Sequence, residues 1–365
     1  MKPSPLTILA LLLPPPTTAN TSPPPHNSNT PSLRAIAIEE HWASPALADL
    51  FITTPLRPPF PNPQQLIANL LEVGPSRLAS MDAGAIHIQV ISHVPTAAAA
   101  MFNASATRLA NAQLAARIAA TNPLRFRGFC VLPMALPAEA AAQLEICVRD
   151  HGFVGALVDA IVAHPNGSVS FFEGREYDVL WAAAVRLDVP VYLHPAAPAA
   201  ADVFEIGGLY APAASGSYST AVAASLATAA WGWHEHAGLS FLRLYVGGVF
   251  EQFPGLQVVL GHMGEMVPYY LWRADAVLSR GQAVSLREVY KRNVWVAPSG
   301  IFSLEPMEML LKVTDVRRVM YSVDWPFGRN EDGRAWMEAL RGSGLVTPAE
   351  FGGIAYGNAK RLLKL

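Results

Sequence analysis

Charge is scarce in this chain of 365 residues: only 15% are Asp, Glu, Lys or Arg, the net charge is -2, and the basic residues form no run. A nucleic-acid surface needs a basic patch, and none is written here. There are only two cysteines, Cys130 and Cys147, too few for a disulfide framework of any extent. Both sit in apolar surroundings, which points to two buried thiols. A long apolar run is missing too: Leu6–Leu13 is too short to cross a bilayer. A glycine-rich phosphate turn after the first apolar run is absent, which argues against a dinucleotide-binding sheet. No internal repeat suggests a solenoid.

What is abundant is apolar material, at 52% of the chain, and proline, with 31 residues. Nine of those prolines fall in the first 32 residues, which hold no acidic residue. Residues 1–33 therefore read as a Pro-rich extension ahead of a folded part at 34–365. Lys2 and the following apolar run leave a signal segment open as the alternative, without a clean cleavage site. A cytoplasmic location is expected, or secretion if residues 1–20 act as a signal.

From Arg34 onward, short apolar or β-branched runs alternate with alanine-rich stretches. The runs are 35–41, 86–92, 126–133, 153–159, 189–195, 256–261, 294–299 and 319–324. Runs such as VPVYLH and LQVVLGH are apolar on both faces, as parallel strands covered by helices are. Helices are expected at 98–120, at 137–151 with Pro137 in the first turn, and at 303–312. Eight strands alternating with helices predict a (β/α)8 TIM barrel. Insertions at 42–83, with the clusters PLRPPF and PNP, and at 196–237 would lie over its C-terminal face; the second turns helical around 220–230.

Polar residues collect where those runs end. The first ends in Glu39, Glu40 and His41; in an extended strand Glu39 and His41 share a face and Glu40 takes the other. The fifth ends in His194, the sixth in His262 and the eighth in Asp324. A barrel gathers such ends at one rim, where carboxylates and neutral imidazoles could share a divalent ion. Singly, each has a plainer reading: Glu39 beginning a helix, His194 a hydrogen-bonded core residue, Asp324 a cap. Glu265, three residues after His262, either orients that imidazole or is an acid in the first turn of a helix. Arg273 either clamps a substrate carboxylate or joins a surface ion pair. His93 and His164 follow strands and could line a pocket. His234 and His236, two apart in a helical stretch, share no face and are not expected as ligands.

Taken in order, IAIEEH, FRGFCVLPM, VPVYLHP, GGVFEQFPGLQVVLGHMGE, YYLWR and YSVDWPFG resemble the decarboxylase branch of the amidohydrolase superfamily. That branch includes 2,3-dihydroxybenzoate, γ-resorcylate, 6-methylsalicylate and 5-carboxyvanillate decarboxylases, with aminocarboxymuconate semialdehyde decarboxylase more distant. The resemblance spans about residues 35–362. It implies metal ligation by Glu39, His41, His194 and Asp324, and an active-site pair of His262 and Glu265. It also implies substrate contacts from Arg273 and Phe327, and a homodimer or homotetramer. The fourth run, VGALVDA, lacks the lysine that bridges two metals in hydrolytic branches. One stretch departs: HEHAGLSFLRL has Ser240 where many benzoate decarboxylases carry a histidine.

The expected reaction is loss of carbon dioxide from a hydroxylated aromatic acid, with protonation of the ring carbon. One zinc, manganese or magnesium ion would assist, and no organic cofactor. Asp324 is the expected proton donor, its pKa raised by the dianionic substrate. Metal-dependent hydrolysis of a small lactone is the alternative.

Overall fold

The computed structural model describes residues 33–49, 62–94, 98–164, 166, 168–196 and 198–365. All eight predicted runs contain strands, the first two one residue longer than the run and the other six shorter: β1 (Ala35–Trp42), β2 (Ile86–His93), β3 (Phe126–Gly128), β4 (Ala156–Asp159), β5 (Val191–His194), β6 (Val258–Leu260), β7 (Val294–Val296) and β8 (Tyr321–Ser322). They pair in parallel as β8-β1-β2-β3 and β4-β5-β6-β7. Single parallel bridges, Cys130 to Ala156 and Val296 to Val319, join the two halves into a closed (β/α)8-type ring. After β3, β5, β6 and β7 the run outlasts the strand, because the next residues stay buried while leaving the ladder for the rim.

The surrounding helices are α1 (Pro63–Leu71), α2 (Pro75–Ala83), α3 (Ala104–Thr121), α4 (Pro137–Arg149), α5 (Asp178–Leu187), α6 (Gly232–Val246), α7 (Val267–Leu278), α8 (Leu286–Asn293), α9 (Leu304–Val313) and α10 (Asn330–Gly342). Pro137 does occupy the start of α4, where a missing N–H leaves nothing unpaired. The single helix expected over 98–120 is broken: Asn103 accepts from the Ala106 amide at 3.0 Å and caps α3. In the first insertion the described chain is helical, as α1 and α2; PLRPPF lies outside the described residues. The second insertion holds the short helices Ala200–Phe204 and Thr220–Ala227 before α6. A two-residue hairpin, Val162–Ala163 with Val169–Ser170, follows β4.

The expectation of two thiols is corrected. Cys130, just past β3, and Cys147, on the inner face of α4, form a disulfide with Cα atoms 6.0 Å apart. Both are buried, as their apolar setting suggested. The return of α4 over the β3–β4 edge supplies the proximity, which the 17-residue separation alone does not disclose.

Among the described residues no helix is long and apolar enough to cross a membrane.

Candidate metal centre

β1 brings Glu39 and His41 to the rim by a route that regular alternation does not describe. Its register against β2 shifts between Ala37 and Glu40, and Glu39 is left-handed with φ 67°. This bulge re-aims the side chains at the end of the strand. Glu39, His41, His194 and Asp324 converge so that one ligating atom from each lies within 4.8 Å of all the others. His41 Nε2 is 3.1 Å from Asp324 Oδ1, and His194 Nε2 is 3.3 Å from Glu39 Oε1. Neighbouring ligands of an ion bound at about 2.1 Å stand about 3 Å apart, so the spacing fits.

The donor atoms are otherwise unused. Glu39 Oε1, His41 Nε2 and Asp324 Oδ1 are buried without a hydrogen-bond partner. His194 donates Nδ1–H to the Pro195 carbonyl at 2.7 Å, which leaves the Nε2 lone pair facing the cluster. Burial pulls the His194 imidazole down to about 4, so it is neutral near pH 7. Burial pushes Glu39 up to about 8, offset in part by His262 and His41. A cation beside Oε1 is what would hold that carboxylate ionised. These residues fit one divalent ion.

Glu39 is held from behind. Its Oε2 accepts from Tyr192 and Ser299 hydroxyls. Burial and the Glu39 charge keep the Tyr192 phenol well above its usual range, so it remains a donor. Gly261 makes room for this group: a Cβ there would lie 2.5 Å from the Tyr192 hydroxyl and 3.0 Å from Glu39 Oε2.

Glu40 faces away and latches the last strand to the first. It accepts from the Val323 and Trp325 amides at 2.9 and 3.3 Å, and from Gln89 Nε2 at 3.2 Å. Arg77, fully buried, bonds Gln89 Oε1 at 2.8 Å and the His41 carbonyl at 2.9 Å, and lies 4.3 Å over the Trp325 ring. Asp324, with φ 65°, is suspended between two anchored neighbours.

His262 and Glu265 do not open a right-handed helix. Residues 262–266 all have positive φ, between 44° and 93°, and form a left-handed turn before α7. Only Gly264 takes that conformation without strain; an L-residue there loses about 1–2 kcal/mol. The turn points both side chains inward, with His262 Nδ1 2.7 Å from Glu265 Oε1. His262 Nε2 stands 3.9 Å from Asp324 Oδ2. Burial disfavours the imidazolium, yet Glu265, Glu39 and the contact with Asp324 outweigh it and hold His262 well above its ordinary value. Burial likewise opposes ionisation of Glu265 and Asp324, but the neighbouring imidazoles win and both stay below theirs. The resting Asp324 is thus a carboxylate.

Phe327 packs with Leu66, Leu70 and Val94, its ring 5.5 Å from that of His41. Arg273 is exposed on α7. His93 is a satisfied core residue: Nδ1 donates to the Val94 carbonyl at 2.8 Å and Nε2 accepts from the Ser44 amide at 3.0 Å. His164 bonds Ser170 in the hairpin. Sequence reasoning set aside His234, yet its Nδ1 is 2.8 Å from Glu265 Oε2. The two-residue spacing to His236 carried no hint of a partner 31 positions later.

The Amidohydrolase family model matches residues 74–365. The chain belongs to the amidohydrolase family. A decarboxylase of Emericella nidulans, orsB, is 43% identical over 344 residues, covering 92% of this chain and 98% of that one. A γ-resorcylate decarboxylase of Rhodococcus jostii is 34% identical over 354 residues, covering 90% and 98%. A dihydroxybenzoic acid decarboxylase from Polaromonas, solved with manganese and 2-nitroresorcinol, superposes with a TM-score of 0.79 at 29% identity, covering 91% and 97%. Its bound manganese agrees with the donor set in this amidohydrolase.

Proposed function

We propose that this amidohydrolase-family protein is a carboxy-lyase that removes carbon dioxide, without oxidation, from a hydroxybenzoate or salicylate-type acid. The observation that carries the reading is the four-ligand cluster with its unpaired donor atoms beside the His262–Glu265 pair. Decarboxylase relatives of nearly full length support it over lactone hydrolysis.

Glu39, His41, His194 and Asp324 would hold one divalent ion, manganese by likeness to the Polaromonas enzyme, with zinc or magnesium also suited to the donors. When bound, it supplies positive charge that orients the anionic substrate and stabilises charge developing on it. Phe327 would flank the ring. For Arg273, a role as carboxylate clamp rests on the YLWR resemblance.

The proton comes from the protein's own residues. His262 would donate Nδ1–H to Glu265, whose charge favours a second proton on Nε2, while the neighbouring imidazoles favour Asp324 as a carboxylate. Entry of an anionic substrate raises the proton affinity of Asp324, and His262 Nε2 lies within a short movement of Oδ2. Asp324 then delivers that proton to the ring carbon bearing the carboxylate. The bond to the carboxylate carbon breaks, its electron pair returns to the ring, and carbon dioxide leaves. Solvent reprotonates His262. The expected role of Asp324 is kept, and its proton supply is placed on His262 rather than on the resting aspartate.

Residues 34–365 would form the catalytic domain and 1–33 an extension to it. Assembly as a homodimer or homotetramer and a cytoplasmic location belong to the same reading. The exposed Tyr269, Tyr270 and Trp272 on α7 offer an apolar face that a second copy would cover.

The test is a panel of hydroxybenzoates given to metal-analysed protein in deuterated water. Carbon dioxide release with one deuterium entering the ring is the expected result. Incorporation of labelled water oxygen into a ring-opened acid would instead make the protein a hydrolase. No release across the panel by fully loaded protein would remove the proposal.

A further inference from the structure

Glu265 is fully buried, and each of its oxygens meets a different imidazole. Oε1 takes the His262 contact at 2.7 Å; Oε2 takes His234 Nδ1 at 2.8 Å. His234 stands in the first turn of α6, and its other nitrogen, Nε2, is 3.0 Å from the Ala229 carbonyl. A carbonyl can only accept, so Nε2 must carry a hydrogen there. The Nδ1–Oε2 contact then holds a further proton between the two groups. The His234 and His262 rings lie 4.7 Å apart between centroids, on either side of the same carboxyl.

The helix is shaped for this approach. Gly238 lets α6 close onto the left-handed turn, since a Cβ there would stand 2.4 Å from the Glu265 carbonyl oxygen. Ser240, further along α6, is buried with its hydroxyl unpartnered and gives Glu265 no competing bond. The imidazole of His234 therefore supplies the second anchor of the carboxylate.

We infer that His234 is a positioning residue for the proposed decarboxylation, acting through Glu265 on the orientation of His262. The inference rests on that functional reading, though the anchoring itself can be observed without turnover. With Oε2 held by His234, Glu265 cannot rotate away, and Oε1 stays aligned on His262 Nδ1. The opposite nitrogen of His262 is then kept toward Asp324. Loss of such an outer partner characteristically lowers activity about 10- to 100-fold while the reacting groups remain in place.

The experiment uses full-length, metal-loaded protein with His234→Leu, His234→Asn and His234→Gln. His234→Leu should lose about tenfold or more in kcat, with KM and bound metal unchanged. An Asn amide can place its nitrogen near the position of Nδ1, so His234→Asn should recover most of that loss. The longer Gln places its nitrogen beyond that position and should not. In 15N-histidine spectra the His262 Nδ1–H resonance should move in the Leu protein and return in the Asn protein. If His234→Leu does not fold, the contrast between Asn and Gln carries the same reading in rates and spectra. An unmoved His262 resonance in a folded variant lacking the anchor overturns the inference, whatever the rates. Equal rate losses in the Asn and Gln proteins overturn it as well, because packing and not the anchored oxygen would then be responsible. A wild-type protein that shows the resonance pattern but releases no carbon dioxide rejects the proposed function and leaves the anchoring standing.

Discussion

Glu39 and Glu40 are neighbours on one strand, and both are fully buried, but the regions they enter are finished differently. On the Glu40 side the protein completes its own network: two backbone amides and Gln89 donate to the carboxylate, and the Arg77 guanidinium is braced against Trp325. One Arg77 nitrogen lacks a hydrogen-bond partner there, though the cation lies over the indole face. On the Glu39 side three ligating atoms are left over, and they belong to three different residues aimed at one point. Burying unpaired polar atoms is unfavourable, and a set converging at metal-ligand spacing indicates what completes it. One face of β1 closes the barrel, whereas the other receives the ion.

The largest expected effect breaks the closed side. Glu40→Ala removes the carboxylate that balances buried Arg77 through Gln89 and frees the amides beside Asp324. Leaving a buried cation without its balancing charge costs up to about 3–5 kcal/mol, which chemical denaturation would report. A stability within about 0.5 kcal/mol of wild type would mean that the latch contributes no more than an ordinary surface contact.

Next comes the open side. Asp324→Asn keeps the size of the side chain and removes the proton-carrying oxygen, so turnover should fall at least about 100-fold. Metal content must be measured on the same sample, and substrate binding should persist. Near-normal carbon dioxide release with solvent deuterium entering the ring would exclude Asp324 as donor and move suspicion to His262.

A smaller effect is read from pH. In metal-free protein Glu39 titrates near 8 rather than 4.5, so the folded state keeps a proton that the unfolded chain has released. His262, held well above 6.5, acts in the same direction. His194, depressed to about 4, favours higher pH only below 6.5, where the unfolded imidazole gains its proton. Stability of the stripped protein should therefore fall as pH rises from about 6.5 to 8, the window these shifts define. Glu39→Gln should flatten that slope, and so should metal, by keeping the carboxylate ionised. Melting temperatures across the window measure it; a rising slope would contradict the assignment.

The smallest effect belongs to neither side. Deleting residues 1–33 should leave kcat, KM and bound metal unchanged if that segment is only an extension. A well-folded truncated protein with strongly reduced turnover would tie the segment to the pocket or to a subunit contact.

Much of this contrast was legible in the sequence because barrel topology converts strand ends into neighbours. EEH, YLH, GH and VD needed only to be placed at the ends of four parallel strands for their side chains to meet. Alternation along β1 separated Glu40 from its neighbours correctly, but it carried no sign of the bulge at Glu39. What stayed hidden depends on backbone strain or on contacts between segments that have no common periodicity. The left-handed turn at 262–266 contains one glycine and four residues that ordinarily avoid such angles, so local preference pointed to a right-handed helix start. His234 becomes meaningful only once that turn has aimed Glu265 at α6. Tyr192 and Ser299 looked like ordinary strand residues, and the cysteine pair depended on how α4 returns across β3.

The seam between β1 and β8 has a consequence for the growing chain. Only two ladder positions pair across it, Ala37 with Tyr321 and Ile38 with Ser322, and the Glu40 latch spans 283 and 285 residues. During synthesis Glu39 and His41 emerge early, but Asp324 follows only when nearly the whole barrel has left the ribosome. An ion captured by the early pair alone would have half its protein donors and could exchange freely. The fourth ligand arrives with the strand that closes the ring, so firm metal capture and completion of the barrel become one event. In the finished protein an ion held by these four residues would act as a clasp on a short seam. Chelation should raise amide hydrogen exchange first at residues 37–38 and 321–323, before the β4–β5 pairing on the other half of the ring.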